Sequence, residues 1–509
     1  MTGRYARGLP AFLRHPLSPE DCARIVRDRL ESRASGFLDC LQRGVFGSRN
    51  SPYRALFNWA GIGFEDASRL VREHGTEGAL ERLFRAGISV TLEEFKGRKP
   101  IERNGRVLAV RAEDFDNPLA RAHFEGRTGG SRGSSRRLLI DLDLLTHDAA
   151  CHYFFLAGFD LLERPMAVWR PVPPDNSGIK KLLLQAKLSR RVDRWFTHTP
   201  LTVSGGQLKY YLFTRQTIGI FRLFGTPQAT PEFTPFGSEV RIAAWLQDQV
   251  RAGRPAQLDT MTGSAVRVCL AANEHGFDIT GTLFRAGGEP LTPAKARLVS
   301  ETGSRIVCHY SMSETGPVGM ACPAPTATDD VHVLQSKTAI VQRPDGALLV
   351  TSLLPAAPKL MINVETGDRG VVERRACGCP LGAAGLDLHL RDIRSYEKLT
   401  TEGTQFLGIE LITLLEEVLP GTFGGSPADY QLVEEEQNGL SKVSIVVNPR
   451  VGAVDETALV ETALAFLGKH SAGHGLMAQF WEEGLTLRVV RREPYATAAG
   501  KILPLHILS

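Results

Sequence analysis

The chain has 509 residues, with 60 lysines and arginines against 56 aspartates and glutamates, for a formal net charge of +4. A balance this even offers no basic stripe to nucleic acid and no cationic face to an anionic membrane. At 43% hydrophobic and 23% charged residues, the composition is that of a globular protein long enough for at least two cored domains. Eight cysteines in so long a chain do not make a disulfide scaffold.

The first hundred residues read as mostly helical. Ser18-Pro19-Glu20-Asp21 supplies an N-cap, a proline for the first turn and an acid at N3. The longest apolar run, Phe154 to Leu162, is too short to span a bilayer and carries Asp160. No apolar leader opens the sequence, so a cytoplasmic protein is expected. From about Leu138 to Met361, β-branched runs alternate with helical stretches. Thr292-Pro293 opens one such helix and Gly303 closes it. This alternation predicts an α/β domain with buried sheets. Beyond it, Leu386, Leu388 and Leu390 alternate as in a half-buried strand. A helix near Gly408 to Leu419 follows, then strands at Tyr430–Val433 and Val443–Val447. A helix from Asp455 to Leu467 and a strand at Leu485–Val490 complete a β-α-β-β-α-β pattern. The expected organisation is a large N-terminal α/β domain, residues 1–390, and a small C-terminal α+β domain, residues 391–509.

The densest chemical signal is Thr128-Gly129-Gly130-Ser131-Arg132-Gly133-Ser134-Ser135-Arg136. Its glycines let backbone N–H groups turn toward one anion. Its hydroxyls and two arginines add donors and charge suited to a polyphosphate. It is not the Gly-Lys-Ser/Thr phosphate loop, whose spacing is missing. Four more segments follow in order: Gly287-Gly288-Glu289-Pro290, Tyr310-Ser311-Met312-Ser313-Glu314, Thr366-Gly367-Asp368 and, near the end, Gly500-Lys501. Arg391-Asp392 closes the strand read at Leu386–Leu390. Each segment alone is an ordinary turn or loop; their order is the signal. A further constellation, Cys322, His332, Cys377 and Cys379, could complete a tetrahedral Zn²⁺ site.

In that order the segments resemble the adenylate-forming superfamily of acyl- and aryl-CoA synthetases, over about Ser51 to the C-terminus. Ser51-Pro52-Tyr53-Arg54 with Ala60-Gly61-Ile62, and the Cys/His set, resemble phenylacetate–CoA ligase and its relatives. The resemblance implies that Thr128, Gly130, Ser131, Gly133 and Arg136 cradle the phosphates of ATP. Gly288, Glu289 and Pro290 then flank the adenine. Tyr310 stacks on the base, Ser313 contacts the α-phosphate, and Glu314 holds Mg²⁺. Asp368 accepts the ribose hydroxyls, Arg391 binds ribose or phosphate, and Lys501 offsets the charge of the reacting carboxylate and α-phosphate. Gly287 and His309 line the acyl pocket, with Tyr153-Phe154-Phe155 as further candidates. Several consensus residues are replaced. Arg132 stands for a threonine and Ser311 for a glycine, and the acid pair at the hinge is absent, leaving Asp392 or Arg394-Ser395-Tyr396 to serve.

The implied activity is activation of an aryl or acyl carboxylic acid as an acyl-AMP with release of pyrophosphate. Transfer to a thiol follows, that of coenzyme A, while a mobile C-terminal domain rotates about Arg391 and carries Lys501 away. The divergence suggests biosynthesis. Two alternatives stay open. One keeps adenylation and gives the acyl group to a separate carrier protein's phosphopantetheine, a protein cysteine or an amine. The other is an inactive nucleotide-binding protein. A homodimer is compatible with the sequence, and no nucleic-acid or membrane partner is expected.

Overall fold

The computed structural model describes residues 3–120, 124–127, 137–173, 175–201, 208–312, 314–395, 398–401, 404–437, 440–469, 481, 486–495 and 504–508. The lead-in is helical as the sequence predicts. In the helix Pro19–Glu31, the Asp21 N–H donates to Ser18 Oγ at 3.1 Å and the Ser18 N–H donates to Asp21 Oδ2 at 3.3 Å. Such a reciprocal cap stabilises a helix start by about 1 kcal/mol.

Two short strands, β1 (Phe124–Arg127) and β2 (Arg137–Ile140), pair antiparallel, with Arg127 opposite Arg137. They flank the glycine-rich segment at 128–136, which lies outside the described residues. Helix α1 (Leu142–Gly158) follows and is capped by Asp141, whose Oδ1 accepts the N–H groups of Asp143 and Leu144 at 2.8 and 3.0 Å. The predicted apolar run is the buried end of this helix and the turn after it.

The main sheet is built next. Its parallel half comprises β3 (Met166–Trp169), β4 (Arg194–Thr197), β5 (Pro231–Phe233), β6 (Gln257–Met261), β7 (Leu283–Gly287) and β8 (Arg305–Met312). Helices α2 (Ser177–Lys187), α3 (Thr262–His275) and α4 (Pro293–Ser300) connect them. Its antiparallel half comprises β9 (Gly316–Ala321), β10 (Val331–Val333), β11 (Thr338–Gln342), β12 (Ala347–Ser352), β13 (Val364–Arg374) and β14 (Leu388–Ser395). The twelve strands run in the spatial order β11-β12-β13-β14-β10-β9-β8-β7-β6-β3-β4-β5. The change from parallel to antiparallel pairing falls at β8. Strands β3, β6 and β7 read as continuous buried runs, as expected for strands covered on both faces.

Close approach sets where α2 lies. A Cβ on Gly178 would meet Pro171 O at 2.6 Å and the Trp195 ring at 2.7 Å. Glycine lets the helix settle on β3 and β4, and Lys181, one turn further along the same face, then points into the sheet.

The C-terminal part forms a separate small sheet of β15 (Tyr430–Gln437), β16 (Leu440–Val447), β17 (Leu487–Arg491) and β18 (Leu505–Ile507), in the order β17-β16-β15-β18. Leu411, Leu414, Leu432, Ile445, Leu459 and Trp481 pack in its core, with helix α5 (Glu456–Gly468) across it. Here the expected β-α-β-β-α-β order needs correction. The strand read at Leu386–Leu390 is β14. It belongs to the main sheet and passes through Arg391 to Ser395, paired with β13. The alternation of leucines reports a covered face but not which strand lies alongside. His389, between two of those leucines, is also fully buried, so the strand is not half-exposed. The small sheet gains β18 in exchange, parallel to β15.

Candidate active site

Strands of a parallel sheet open a crevice where their direction of connection changes, and ligands bind beyond their carboxyl ends. In this chain that crevice lies at the ends of β6, β7 and β8. Gly287, the last residue of β7, lies beside His309 of β8. A Cβ at Gly287 would stand 3.0 Å from His309 O, so the two backbones meet as closely as glycine allows. Gly288 follows with φ +90°, a conformation that other residues adopt only with strain. Glu289 is buried, and its Oε2 accepts the Gly263 N–H at 3.2 Å. Pro290 leads into the Thr292 cap of α4, whose Oγ1 accepts the Lys295 N–H at 3.3 Å.

Tyr310 and Asp368, 58 residues apart in the chain, are joined across this crevice: the Tyr310 hydroxyl donates to Asp368 Oδ2 at 2.8 Å. The other carboxylate oxygen accepts from Ser395 Oγ, also at 2.8 Å. Both oxygens therefore receive hydroxyl donors, the contacts a vicinal diol would make. Burial, reinforced by the Asp368 charge, holds the Tyr310 phenol well above its ordinary range, so it stays a neutral donor. Glu314 lies close enough to influence Tyr310 electrostatically, and its carboxylate pairs with Lys96.

Arg391 is bonded to two acids close to it on the strand pair. Its Nε lies 3.3 Å from Glu373 Oε1 and its Nη1 2.5 Å from Asp392 Oδ2. The β14 residue that reaches Asp368 is Ser395, because β13 and β14 pair Asp368 with Ser395 and Val371 with Arg391. Asp392, the hinge candidate, has φ +54°, and Asp329 accepts the N–H groups of Asp392 and Ile393 at 2.8 Å each. Thr128, Gly130, Ser131, Gly133, Arg136, Ser313, Tyr396 and Lys501 lie outside the described residues.

Sequence reasoning missed a second polar group beside this crevice. Asp259 of β6 is paired with Arg170 Nε at 2.8 Å, Lys181 Nζ at 3.0 Å and Arg285 Nη1 at 2.5 Å. The three cations hold the Asp259 carboxyl far below its usual range despite burial. Arg285 Nε donates to His309 Nε2 at 2.7 Å, while His309 Nδ1 lies 2.9 Å from Cys308 O. That fixes His309 as the neutral Nδ1–H tautomer, in keeping with burial and the Arg285 charge lowering its proton affinity. Phe155 stands edge-on to His309 at 4.6 Å between centroids, with Arg285 over its face. A charged residue in the midst of a strand-like run, as at Asp259 and Arg285, was the available signal.

The predicted Cys/His constellation does converge. Cys377 Sγ and Cys379 Sγ lie 3.4 and 3.1 Å from His332 Nε2, whose ring is oriented by Nδ1 donating to Leu386 O at 2.6 Å. The four donor atoms of Cys322, His332, Cys377 and His389 all lie within 4.8 Å of one another. His389 was not expected and takes the place assigned to Cys379 in that set of four. Contacts from Cys322 and His332 favour the thiolate of Cys379. His389 is oriented by Asp330, at 2.7 Å from its Nδ1, and its Nε2 is without a hydrogen-bond partner among the described residues. Thiolate and imidazole donors with carbonyl and carboxylate support behind them suit a tetrahedral zinc site.

No protein-family model matches the chain, and no curated protein is similar to it in sequence. Solved structures are. A 2-hydroxyisobutyryl-CoA ligase in complex with 2-HIB-AMP and CoA, in the thioesterification state, superposes with a TM-score of 0.55 at 15% identity, covering 94% of this chain and 90% of that one. The chain has the fold of an AMP-forming acyl-CoA ligase. The acetoacetyl-CoA synthetase of Streptomyces lividans is a more distant match, with a TM-score of 0.33 at 13% identity over 94% of this chain and 76% of that one. In this acyl-CoA-ligase fold the crevice of Tyr310 and Asp368 lies in the large unit, and no described helix is long and apolar enough to cross a membrane.

Proposed function

We propose that the chain is an acid–CoA ligase that forms acyl-AMP from ATP and a carboxylic acid and then passes the acyl group to coenzyme A. The observation that carries this reading is the 2.8 Å bond between Tyr310 and Asp368. It brings two separate sequence segments together across the crevice, with Glu314 within electrostatic reach of Tyr310. Asp368 accepts the ribose hydroxyls and Tyr310 faces the adenine. Glu314 would hold Mg²⁺, which neutralises phosphate charge. Thr128, Gly130, Ser131, Gly133 and Arg136 bind the phosphates, and Ser313 the α-phosphate. A carboxylate oxygen of the acid attacks the α-phosphorus and pyrophosphate leaves. Lys501 supplies the cation that lets two anions meet. The thiol of coenzyme A then attacks the acyl carbonyl and AMP leaves.

The small C-terminal unit carries Lys501 and moves between the two half-reactions, turning about the segment from Arg391 to Tyr396. Within the superfamily the reading is of a relative of phenylacetate–CoA ligase with a structural zinc. Cys322, His332, Cys377 and either Cys379 or His389 would be its ligands, tying the loop after β9 to the segment before β14. Metal analysis of the purified chain is expected to give one zinc per chain, with Cys377→Ser losing it; a metal-free, fully folded protein contradicts the assignment. The activity is tested by acid-dependent ATP–pyrophosphate exchange across aryl and acyl carboxylates. Exchange that requires both acid and Mg²⁺ supports the reading, and none with any acid counts against it.

A further inference from the structure

Buried ionic groups normally come close to neutral sets, because an uncompensated charge is costly away from water. The set around Asp259 does not. One carboxylate, 1% exposed, is shared by Arg170, Lys181 and Arg285, which are 12%, 18% and 2% exposed. Nearby His152 and His309 are neutral, each depressed first by burial and then by Arg285. With Lys181 protonated, Asp259 is paired with three cations, and Asp148 is a further acid within electrostatic reach of Arg285. Arg285 Nη2 and His152 Nδ1 are buried without a hydrogen-bond partner among the described residues. Unused donors and surplus positive charge in one place are the complement of an anion.

The location says which anion. Successive residues of a strand face opposite sides of the sheet, so His309 lies across β8 from Tyr310. Arg285 neighbours Gly287 on β7, and its guanidinium is bonded to His309. Gly287 and His309 are the two positions assigned to the acyl pocket. The surplus therefore faces the acid's tail and not the nucleotide. We propose that the acid this chain activates carries a second anionic group, and that Arg285 and Lys181 hold that group while the first carboxylate is adenylated. This rests on the ligase reading above. Asp259 and Arg170 are the frame: they keep both cations in place and leave their outer donors to the substrate. Its chemical class is a dicarboxylic acid or a carboxylic acid with a sulfonate or phosphonate at its far end.

The test compares matched acids with the full chain: butyrate with succinate, valerate with glutarate, benzoate with phthalate and 3-sulfobenzoate. The kcat/KM for ATP–pyrophosphate exchange is expected to favour the best dianionic acid at least tenfold over its monoanionic partner. Arg285→Met should erase that preference, and Arg285→Lys should keep part of it. The ratio between acids is a readout that loss of folding alone does not invert. Exchange that runs as well or better with monoanionic acids, unchanged in Arg285→Met, overturns the proposal and leaves the ligase reading intact. Calorimetry of the same acids without nucleotide separates the other case. Heat from the dianionic acids, lost in Arg285→Met, with no exchange supports the anion site while removing the ligase reading. No heat and no exchange overturns both.

Discussion

At the scale of single residues, Asp368 and Lys181 bear most of the account. Asp368 accepts two hydroxyl donors at 2.8 Å, and an amide in its place can accept at only one atom. Charge-assisted hydrogen bonds contribute about 1.5–3 kcal/mol each, so Asp368→Asn is expected to weaken ATP binding at least tenfold. Calorimetric titration with ATP checks this, and an unaltered affinity would remove Asp368 from the nucleotide site. Lys181 gives a pH dependence. Burial first, then Arg285, pushes its ammonium down to about 7. The groups facing it are Asp259 from β6, Arg285 from β7, His309 from β8, Arg170 after β3 and His152 from α1. The ammonium form is present below that value and lost above it, so a second anionic group binds more weakly as pH climbs past about 7. KM for the preferred dianionic acid should rise with pH there, and the rise should flatten in Lys181→Met. Tyr310, Glu314 and Asp368 were legible in the sequence because each sits in a short segment of unusual composition. Lys96 and Ser395 were not, since nothing local marks a lysine after a short helix or a serine at a strand end as a partner for a distant carboxylate.

At the scale of elements, the contact between the two units is the part with a consequence for motion. Thr292 Oγ1 donates to Glu436 of β15, 2.8 and 2.6 Å from its two carboxylate oxygens, and Lys295 Nζ lies 3.9 Å from Glu436 Oε2. Glu434, two residues before on the same strand, is pushed up to about 7 by burial, with Lys295 opposing that shift and Glu289 and Glu436 adding to it. A carboxyl whose proton affinity rises on docking stabilises the docked arrangement fully below the usual carboxylate range. That contribution falls away as pH climbs through about 7. Energy transfer between labels on the two units should therefore drop over that interval in the native chain and hold steady in Glu434→Gln; identical curves would show that Glu434 is indifferent to docking. Caps such as Ser18, Thr292 and Asp455 announced their helices, because a side chain that satisfies a free backbone N–H acts locally. The partner of β14 was hidden, because strand pairing is decided by distant residues. The short β18 gave no periodicity to read.

At the scale of the whole molecule, the sequence predicted a large α/β unit followed by a small α+β unit. The main sheet appears as one run of twelve strands, with the crevice at its change of direction. What the ordering of motifs predicted was a single convergent site, and among the described residues Tyr310 and Asp368 are the pair brought together. The cationic surplus around Asp259, and with it the choice of acid, emerged only from the packing of α2 against β3 and β6. The most direct test of the account is a crystal structure of the chain with a non-hydrolysable acyl-adenylate. The account predicts one adenylate at the ends of β7 and β8, its ribose hydroxyls on Asp368, its base against Tyr310 and its acyl tail toward Arg285. An adenylate bound away from Asp368, or density for none at saturating ligand, would contradict it.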